Sequence, residues 1–417
     1  MAGKDRISEL PVNILDNILG LLPIQEAART AILSSRTWFS LTKLNFGCNF
    51  FDYLCLKYSN VEGGRSESPI FDVINKILMR HNGPIHKIVF DFSEELLEFP
   101  FFEEFEFKDR VNLLSYNLNQ WFLLLTQNGV EEIVIVCHID KDARCRVPNC
   151  IFSCPTLKRL DLYNNLFRLC CLSSYVEDIS FLYCDKIFYF NIVAPKLGSL
   201  EIILPECCDY FEEFGLLPPN LDFRSISSLN LECSTCCFEV FIEELNRVGQ
   251  LFALNVERLM LCISSDDSCL PDNINNSAFI RLLRACPKLC ELDLSDQLDI
   301  CVLKFLKLNP KDFVLMEELS SVARTQKMLR TLKFTHFNGL RSEMQCIKTF
   351  LACFPGIEKV VIVRGWIPSI VRGWIPSYEE SSDEEFEIMQ ELLRFPCAST
   401  KAEICYKSKF YDVSLVR

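Results

Sequence analysis

Residues 157–165 read LKRLDLYNN, a stretch in which Leu157, Leu160 and Leu162 are separated by charged and polar residues. This apolar-x-x-apolar-x-apolar spacing indicates a strand with one buried face. A single copy could be a half-buried strand of any sheet. Nine further segments have the same spacing, most of them about 20 to 33 residues apart, and together they predict a repeat solenoid. These segments begin at Ile85, Val130, Val176, Leu197, Ile226, Val256, Leu289, Leu329 and Ile357.

The segments between these strands indicate helices, because their apolar residues recur every three or four positions. The predicted helices span 119–126, 238–248, 278–285 and 344–352, and two earlier ones span 45–58 and 71–79. The strand pattern resembles that of leucine-rich repeats. The resemblance implies an α/β fold, an irregular leucine-rich-repeat solenoid with a curved parallel sheet and helices outside.

The N-terminal stretch, residues 5–41, follows another pattern. Leu10, Ile14 and Ile18 lie on one side of a predicted helix, and Pro11 suits its first turn because a missing N–H costs nothing there. A second short helix begins near Gln25. Two helices this short cannot bury their apolar faces on each other alone, so they need a partner. On pattern alone, they could form a small helical cap on the following domain.

The order DRISELPVNILDNILGLLPIQEAARTAILSS over residues 5–35 resembles the F-box of plant F-box proteins. The resemblance implies that this module docks the Skp-type adaptor of a cullin ubiquitin ligase. Two positions depart from the family pattern, since Ile24 stands where Ser or Thr is usual and Trp38 is displaced. The implied adaptor-binding residues are Leu10, Pro11, Ile14, Ile18 and Leu33.

The C-terminal part resembles the FBD region of plant F-box/leucine-rich-repeat proteins, through MLRTLKF at 328–334, ELLRFPCAS at 391–399 and AEI at 402–404. With the other motifs, the resemblance covers nearly the whole chain. The domains implied are an F-box at 1–46, linker and packing helices at 47–80, the leucine-rich-repeat solenoid at 81–325 and an FBD-like region at 326–417.

Three segments interrupt this plan. The acidic, phenylalanine-rich insertion 93–109 either tucks its aromatic residues under the first repeats or forms a docking loop. A tandem copy, VRGWIPSI followed by VRGWIPSY, occupies 363–378 and is expected to extend a loop. The acidic run 379–385 is expected to be a solvated tip, with a serine-kinase site as the alternative.

Composition excludes several classes of protein. The 417 residues carry a net charge of −13, which argues against a nucleic-acid partner. Apolar runs are too short to span a membrane and no signal peptide is visible, so we expect a cytoplasmic or nuclear protein. The 23 cysteines are then expected to be reduced and buried rather than disulfide-bonded. The alternative is a zinc site, for which three sets of cysteines are candidates: Cys145, Cys150 and Cys154; Cys170 and Cys171; and Cys233, Cys236 and Cys237.

No glycine-rich phosphate loop, H-E-x-x-H or G-x-S-x-G occurs, so we expect no enzymatic activity, no cofactor and no metal. The resemblance instead implies a substrate-recognition subunit of an SCF-type (Skp-cullin-F-box) ubiquitin ligase. Its F-box would bind the Skp-type adaptor and, through it, the cullin, while its repeats would bind a target protein. Two alternatives stay open: an interaction scaffold with a degenerate F-box, and a receptor for a small molecule.

The polar residues between the inward leucines share one face of the predicted sheet. They are acidic near the middle of the array and apolar at its ends, which predicts contact with a target that offers Lys or Arg. They could equally be solvated strand residues. The candidate target-binding residues are Asp161, Tyr163, Glu201, Asn230, Glu232 and Asp293.

Overall fold

The structure, a computed structural model, describes the strands of the array and most of the helices between them. The described residues are 10–20, 22, 24–31, 41–58, 69–81, 83–92, 107–137, 147–163, 170–172, 175–184, 190–192, 194–204, 221–252, 254–264, 277–295, 313–337, 339, 341–364, 382–399, 402–408 and 412–415. The chain divides into two compact units. Unit 1 is 1–197 with 218–221, and unit 2 is 198–217 with 222–417.

Unit 1 begins with short helices and continues as a parallel sheet in the order β1-β2-β3-β4-β6. A separate two-stranded parallel sheet pairs β5 with β7. The elements are α1 (Val12–Leu19), α2 (Ile24–Ala31), β1 (Lys43–Phe46), α3 (Cys48–Tyr58), α4 (Pro69–Arg80), β2 (Lys87–Phe92), α5 (Phe107–Gln127), β3 (Glu132–Cys137), α6 (Asn149–Phe152), β4 (Arg159–Tyr163), β5 (Cys170–Leu172), β6 (Asp178–Leu182) and β7 (Phe190–Ile192).

Strand β1 was not predicted. It pairs in parallel with β2 and buries Leu44 and Phe46, although the sequence pattern assigned residues 45–58 to a helix. That prediction was wrong for Asn45 and Phe46 and correct for α3. Strand β1 lies within the predicted F-box segment 1–46 and belongs to the repeat sheet, so the two predicted regions overlap at this strand.

Aromatic packing fills the core of unit 1 behind these first strands. Phe46 and Phe90 stack with ring centroids 5.0 Å apart, and Phe90 stacks on Trp121 of α5 at 5.2 Å. The indole N–H of Trp121 donates to Asn75 Oδ1 at 2.7 Å, so its polar atom is satisfied inside the apolar cluster. The helices therefore cover the face of the sheet that carries the buried side chains.

Unit 2 repeats the same strand-helix order. Strands β8 to β14 are adjacent in sequence order and parallel, and the last strand, β15, pairs antiparallel with β14. The elements are β8 (Ser199–Ile203), a 3-10 turn (Phe223–Ser225), β9 (Ser228–Ser234), α7 (Thr235–Arg247), β10 (Arg258–Ser264), α8 (Ser277–Ala285), β11 (Glu291–Ser295), α9 (Phe313–Thr325), β12 (Thr331–Phe337), α10 (Arg341–Cys353), β13 (Lys359–Arg364), α11 (Ser382–Arg394), β14 (Glu403–Lys407) and β15 (Asp412–Leu415).

Neighbouring repeats meet through the same contacts in each unit. The carbonyl of His86 accepts hydrogen bonds from the backbone N–H groups of Glu131 and Glu132, and the carbonyl of Arg330 does the same where the next strand enters. The inward residues align in register and are buried. They are Ile88, Ile133, Leu160 and Ile179 in unit 1, and Leu200, Leu229, Leu259, Leu292, Leu332 and Val360 in unit 2.

The α/β leucine-rich-repeat fold class is confirmed, and all ten predicted strands are present, as β2, β3, β4, β6 and β8 to β13. The helices predicted at 71–79, 119–126, 238–248, 278–285 and 344–352 coincide with α4, α5, α7, α8 and α10. The tandem copy beyond residue 364, the acidic run before Ser382 and residues 93–106 of the insertion lie outside the described residues.

Candidate adaptor and target surfaces

Helix α1 is held against the start of the first repeat by its polar side. The Asp16 carboxylate accepts hydrogen bonds from the backbone N–H of Thr42, at 2.7 Å, and from the Thr42 hydroxyl. Lys43 Nζ donates to Asn17 Oδ1 at 3.3 Å, and Leu19 is buried. These contacts fix which side of the helix faces the repeat.

The opposite side of α1 is open. Ile14 is 42% exposed and Ile18 is 44% exposed, and the two lie one turn apart on the same face. Pro11 is exposed and Leu10 is half-buried beside them. Four of the five predicted adaptor-binding residues therefore line one end or face of this helix, and the fifth, Leu33, lies outside the described residues.

Helix α2 explains one departure from the family pattern. Ile24, where Ser or Thr is usual, is 2% exposed and starts the helix, and Ala27 is equally buried. Burial of the isoleucine side chain contributes apolar packing where the usual hydroxyl would cap the helix. The other departure, Trp38, is outside the described residues.

In unit 1, one predicted target-binding carboxylate is already paired. Arg159 Nε donates to Asp161 Oδ2 at 2.9 Å, while Asp161 Oδ1 is buried and has no hydrogen-bond partner among the described residues. Burial raises the pKa of the neighbouring Asp178 carboxyl, and Arg159 partly offsets that rise. Tyr163 packs edge-on against Tyr183 with ring centroids 5.2 Å apart. On this surface Arg159 thus neutralises Asp161, and the strand ends at the tyrosine pair.

In unit 2, three of the predicted residues come together on β8 and β9. Asn230 Nδ2 donates to Glu201 Oε1 at 2.6 Å. Burial, and then repulsion from Glu201, raises the pKa of the Glu232 carboxyl. Within the described ranges, neither glutamate forms an ion pair with a Lys or Arg. The pair is a concentrated negative charge on the exposed face of the sheet.

Asp293 differs from that pair. It is 5% exposed and accepts hydrogen bonds from Lys333 Nζ at 2.6 Å and from Thr335 Oγ1 at 3.1 Å. Its charge is therefore compensated within the sheet, and the side chain presented beside it is Lys333. Sequence reasoning missed the roles of Arg159 and Lys333, although strand register places Lys333 directly opposite Asp293.

The sequence matches, over residues 118–362, the family described as FBD-associated F-box protein At5g56370, LRR repeats. The chain belongs to this family. The F-box/FBD/LRR-repeat protein At1g13570 of Arabidopsis thaliana is 24% identical, with 96% of this chain and 98% of that protein covered. The FBD-associated F-box proteins At5g56370 and At1g60410 of the same plant are 21% and 24% identical, covering 96% and 89% of this chain and 100% and 86% of those proteins.

Membership of this family places the chain among plant F-box/FBD/leucine-rich-repeat proteins, whose names denote protein-interaction modules. The roles of the individual adaptor-binding and target-binding residues stay predictions. No helix in the described part of the chain is long and apolar enough to cross a membrane.

The prediction that all 23 cysteines are reduced is wrong for Cys237. Cys237 is disulfide-bonded, whereas the adjacent Cys233 and Cys236 are free thiols. Burial raises the pKa of the Cys233 thiol well above its ordinary value, so this sulfur stays protonated. No group of three metal-ligating side chains occurs among the residues that the structure describes.

Proposed function

We propose that this chain is the substrate-recognition subunit of an SCF-type ubiquitin ligase and acts in the cytoplasm or nucleus. The observation that carries the proposal is the open apolar face of α1, where Ile14 and Ile18 project from a helix whose other side is fixed by Thr42. An apolar helix face with a polar anchor behind it is suited to docking in a groove of a partner. The F-box names of the full-length relatives support the same assignment.

The chain would act by holding two proteins rather than by chemistry. Docking of the Skp-type adaptor on α1 connects the chain to the cullin, and a target bound to the repeats is carried into the same complex. Tethering raises the effective concentration of the target lysine near the ubiquitin-conjugating enzyme, which can speed transfer without a catalytic residue in this chain.

Glu201 and Glu232 are the most suitable target contacts. Burial, and then repulsion from Glu201, raises the pKa of Glu232, so a Lys or Arg side chain placed between the two carboxylates would relieve the repulsion. Asp161 and Asp293 have their own cations and would contribute less. The target is therefore expected to present a basic segment to unit 2.

Reconstitution tests the adaptor half of this proposal. The purified chain is mixed with a purified plant Skp-type adaptor, alone and with the cullin, and is followed by size-exclusion chromatography with light scattering. A stoichiometric complex is expected. Absence of a complex at about 10 μM of each protein, well above the affinities usual for stable assemblies, would favour the scaffold whose F-box recruits no adaptor.

Proximity labelling tests the target half. The bait is the full chain with Ile14→Asp and Ile18→Asp, which should stay folded but leave its targets undegraded. Proteins enriched by this bait should be lost when Glu201→Lys and Glu232→Lys are added. Equal enrichment with both baits would show that the acidic pair does not select the target.

A further inference from the structure

A groove between α10 and α11 in unit 2 is separate from the surfaces discussed above. It encloses about 390 Å³. Its apolar floor consists of Met344, Ile388 and Phe395, of which Met344 and Phe395 are buried. Arg341 and Lys348 form one rim, on α10, and Glu391 lies on α11 opposite. An apolar floor with a charged rim is the usual anatomy of a protein-binding site.

The two cations of the rim are available to a ligand. Arg341 and Lys348 are exposed, and neither forms an ion pair or side-chain hydrogen bond with the residues that the structure describes. They are seven residues apart on one helix, which places them on the same face and about 10 Å apart along its axis. In a chain of net charge −13, two neighbouring uncompensated cations favour an acidic ligand.

The floor depends on a glycine that could not easily be replaced. Gly339 has φ +81°, in the left-handed region that favours glycine, and it lines the groove. A Cβ at this position would lie 2.6 Å from Ile388 Cδ1, which is closer than two non-bonded carbon atoms approach each other. The absence of a side chain at residue 339 therefore allows Ile388 to form the floor.

We propose that this groove binds an extended acidic peptide segment of a partner protein. Residues three apart in an extended chain are separated by about 10 Å, so two acidic residues at i and i+3 match the spacing of Arg341 and Lys348. An apolar residue between the acids would pack on Ile388, which is only half-buried. Glu391 would accept a backbone N–H of the peptide and would disfavour ligands that carry only negative charge. The groove thus gives the protein an interaction site independent of α1 and of Glu201.

Fluorescence anisotropy with a defined probe tests this proposal on the full-length chain. The probe is fluorescein-labelled Gly-Glu-Phe-Leu-Glu-Gly, and the control peptide replaces both Glu by Gln. We expect the acidic probe to bind, the control to bind at least tenfold more weakly, and the affinity to fall with salt. No saturable binding up to about 1 mM of the chain would overturn the proposal.

Two variants and a matched control locate the site. Arg341→Glu with Lys348→Glu should weaken binding at least tenfold, whereas Arg284→Glu with Lys288→Glu, which reverses two exposed cations elsewhere in unit 2, should not. Ile388→Trp fills the groove without altering charge and should also remove binding; thermal melts check that each variant is folded. Equal binding of the probe by the two charge-reversed proteins would show that the peptide does not bind in this groove. Adaptor binding should be the same in all variants, so the two proposals can fail separately.

Discussion

Truncating the open face of α1 should weaken adaptor binding without unfolding the chain. The change is Ile14→Ala with Ile18→Ala. The two side chains project from the helix side that faces away from Thr42 and keep 42% and 44% of their surface exposed. Alanine has a higher helix propensity than isoleucine, so α1 should form at least as readily in the variant. The change therefore removes surface for a partner and leaves the contacts of Asp16 intact.

The size of the effect follows from the exposed fractions. Burying a whole isoleucine side chain contributes about 1.5 to 3 kcal/mol. An adaptor can cover the roughly two-fifths of each residue that is still exposed, which contributes about 1 kcal/mol of binding free energy for each isoleucine, or about 2 kcal/mol for the pair. That free energy corresponds to roughly a thirtyfold rise in Kd. A charged replacement, Ile14→Asp, should cost more because it buries an unpaired carboxylate.

Isothermal titration of purified adaptor into wild type and variant measures this change directly. A matched control, Tyr116→Ala with Leu123→Ala, removes two large exposed side chains from α5 of the same unit and should leave Kd within about a factor of two. Melting temperatures should agree for all three proteins. An unchanged Kd in the α1 variant, or an equal loss in the control, would refute docking through this face.

Three further changes test the repeats. Glu232→Gln should raise the free energy of unfolding at neutral pH, because the raised pKa of Glu232 means that its ionised carboxylate disfavours the folded state. The stability that the protonated carboxyl preserves at low pH is lost as pH rises through the folded-state pKa, so the difference between variant and wild type should vanish near about pH 4. Urea unfolding that shows no stabilisation of the variant at neutral pH would contradict this. Gln326→Ala should lower the free energy of unfolding by about 2 kcal/mol, since Gln326 Nε2 donates to the buried carbonyls of Leu283 and Cys286. The control Asn246→Ala, at an exposed residue, should change it by less than about 0.5 kcal/mol in urea. An equal effect of the two changes would exclude these two hydrogen bonds as the cause. Iodoacetamide should label Cys290 well before Cys346, whose pKa is raised by burial; early modification of Cys346, seen by mass spectrometry, would show that α10 opens.

The repeat strands could be predicted because each buries apolar residues at a fixed spacing, and the same rule reveals what was missed. Leu41, Leu44 and Phe46 have the spacing of the other copies and are fully buried, so β1 is an eleventh copy. It was overlooked because the F-box motif and an aromatic run overlap it. Strand β14 could not be found this way, since polar Lys401 stands three positions before inward Ile404. Its pairing with β13 places it in the sheet.

The candidate target surface was only partly predictable, because a strand pattern tells which side chains share a face but not which of them neutralise each other. Asp293 and Glu201 occupy equivalent positions in their strands, yet Asp293 lies opposite Lys333 and Glu201 lies opposite Asn230. An amide can donate a hydrogen bond to a carboxylate but cannot cancel its charge. Negative charge therefore remains at Glu201 and is increased by Glu232, whereas Lys333 neutralises the charge of Asp293 within the sheet. The residue that each acid faces on the neighbouring strand, rather than the number of acids on the sheet face, therefore distinguishes a candidate binding position from an ion pair that holds the sheet together.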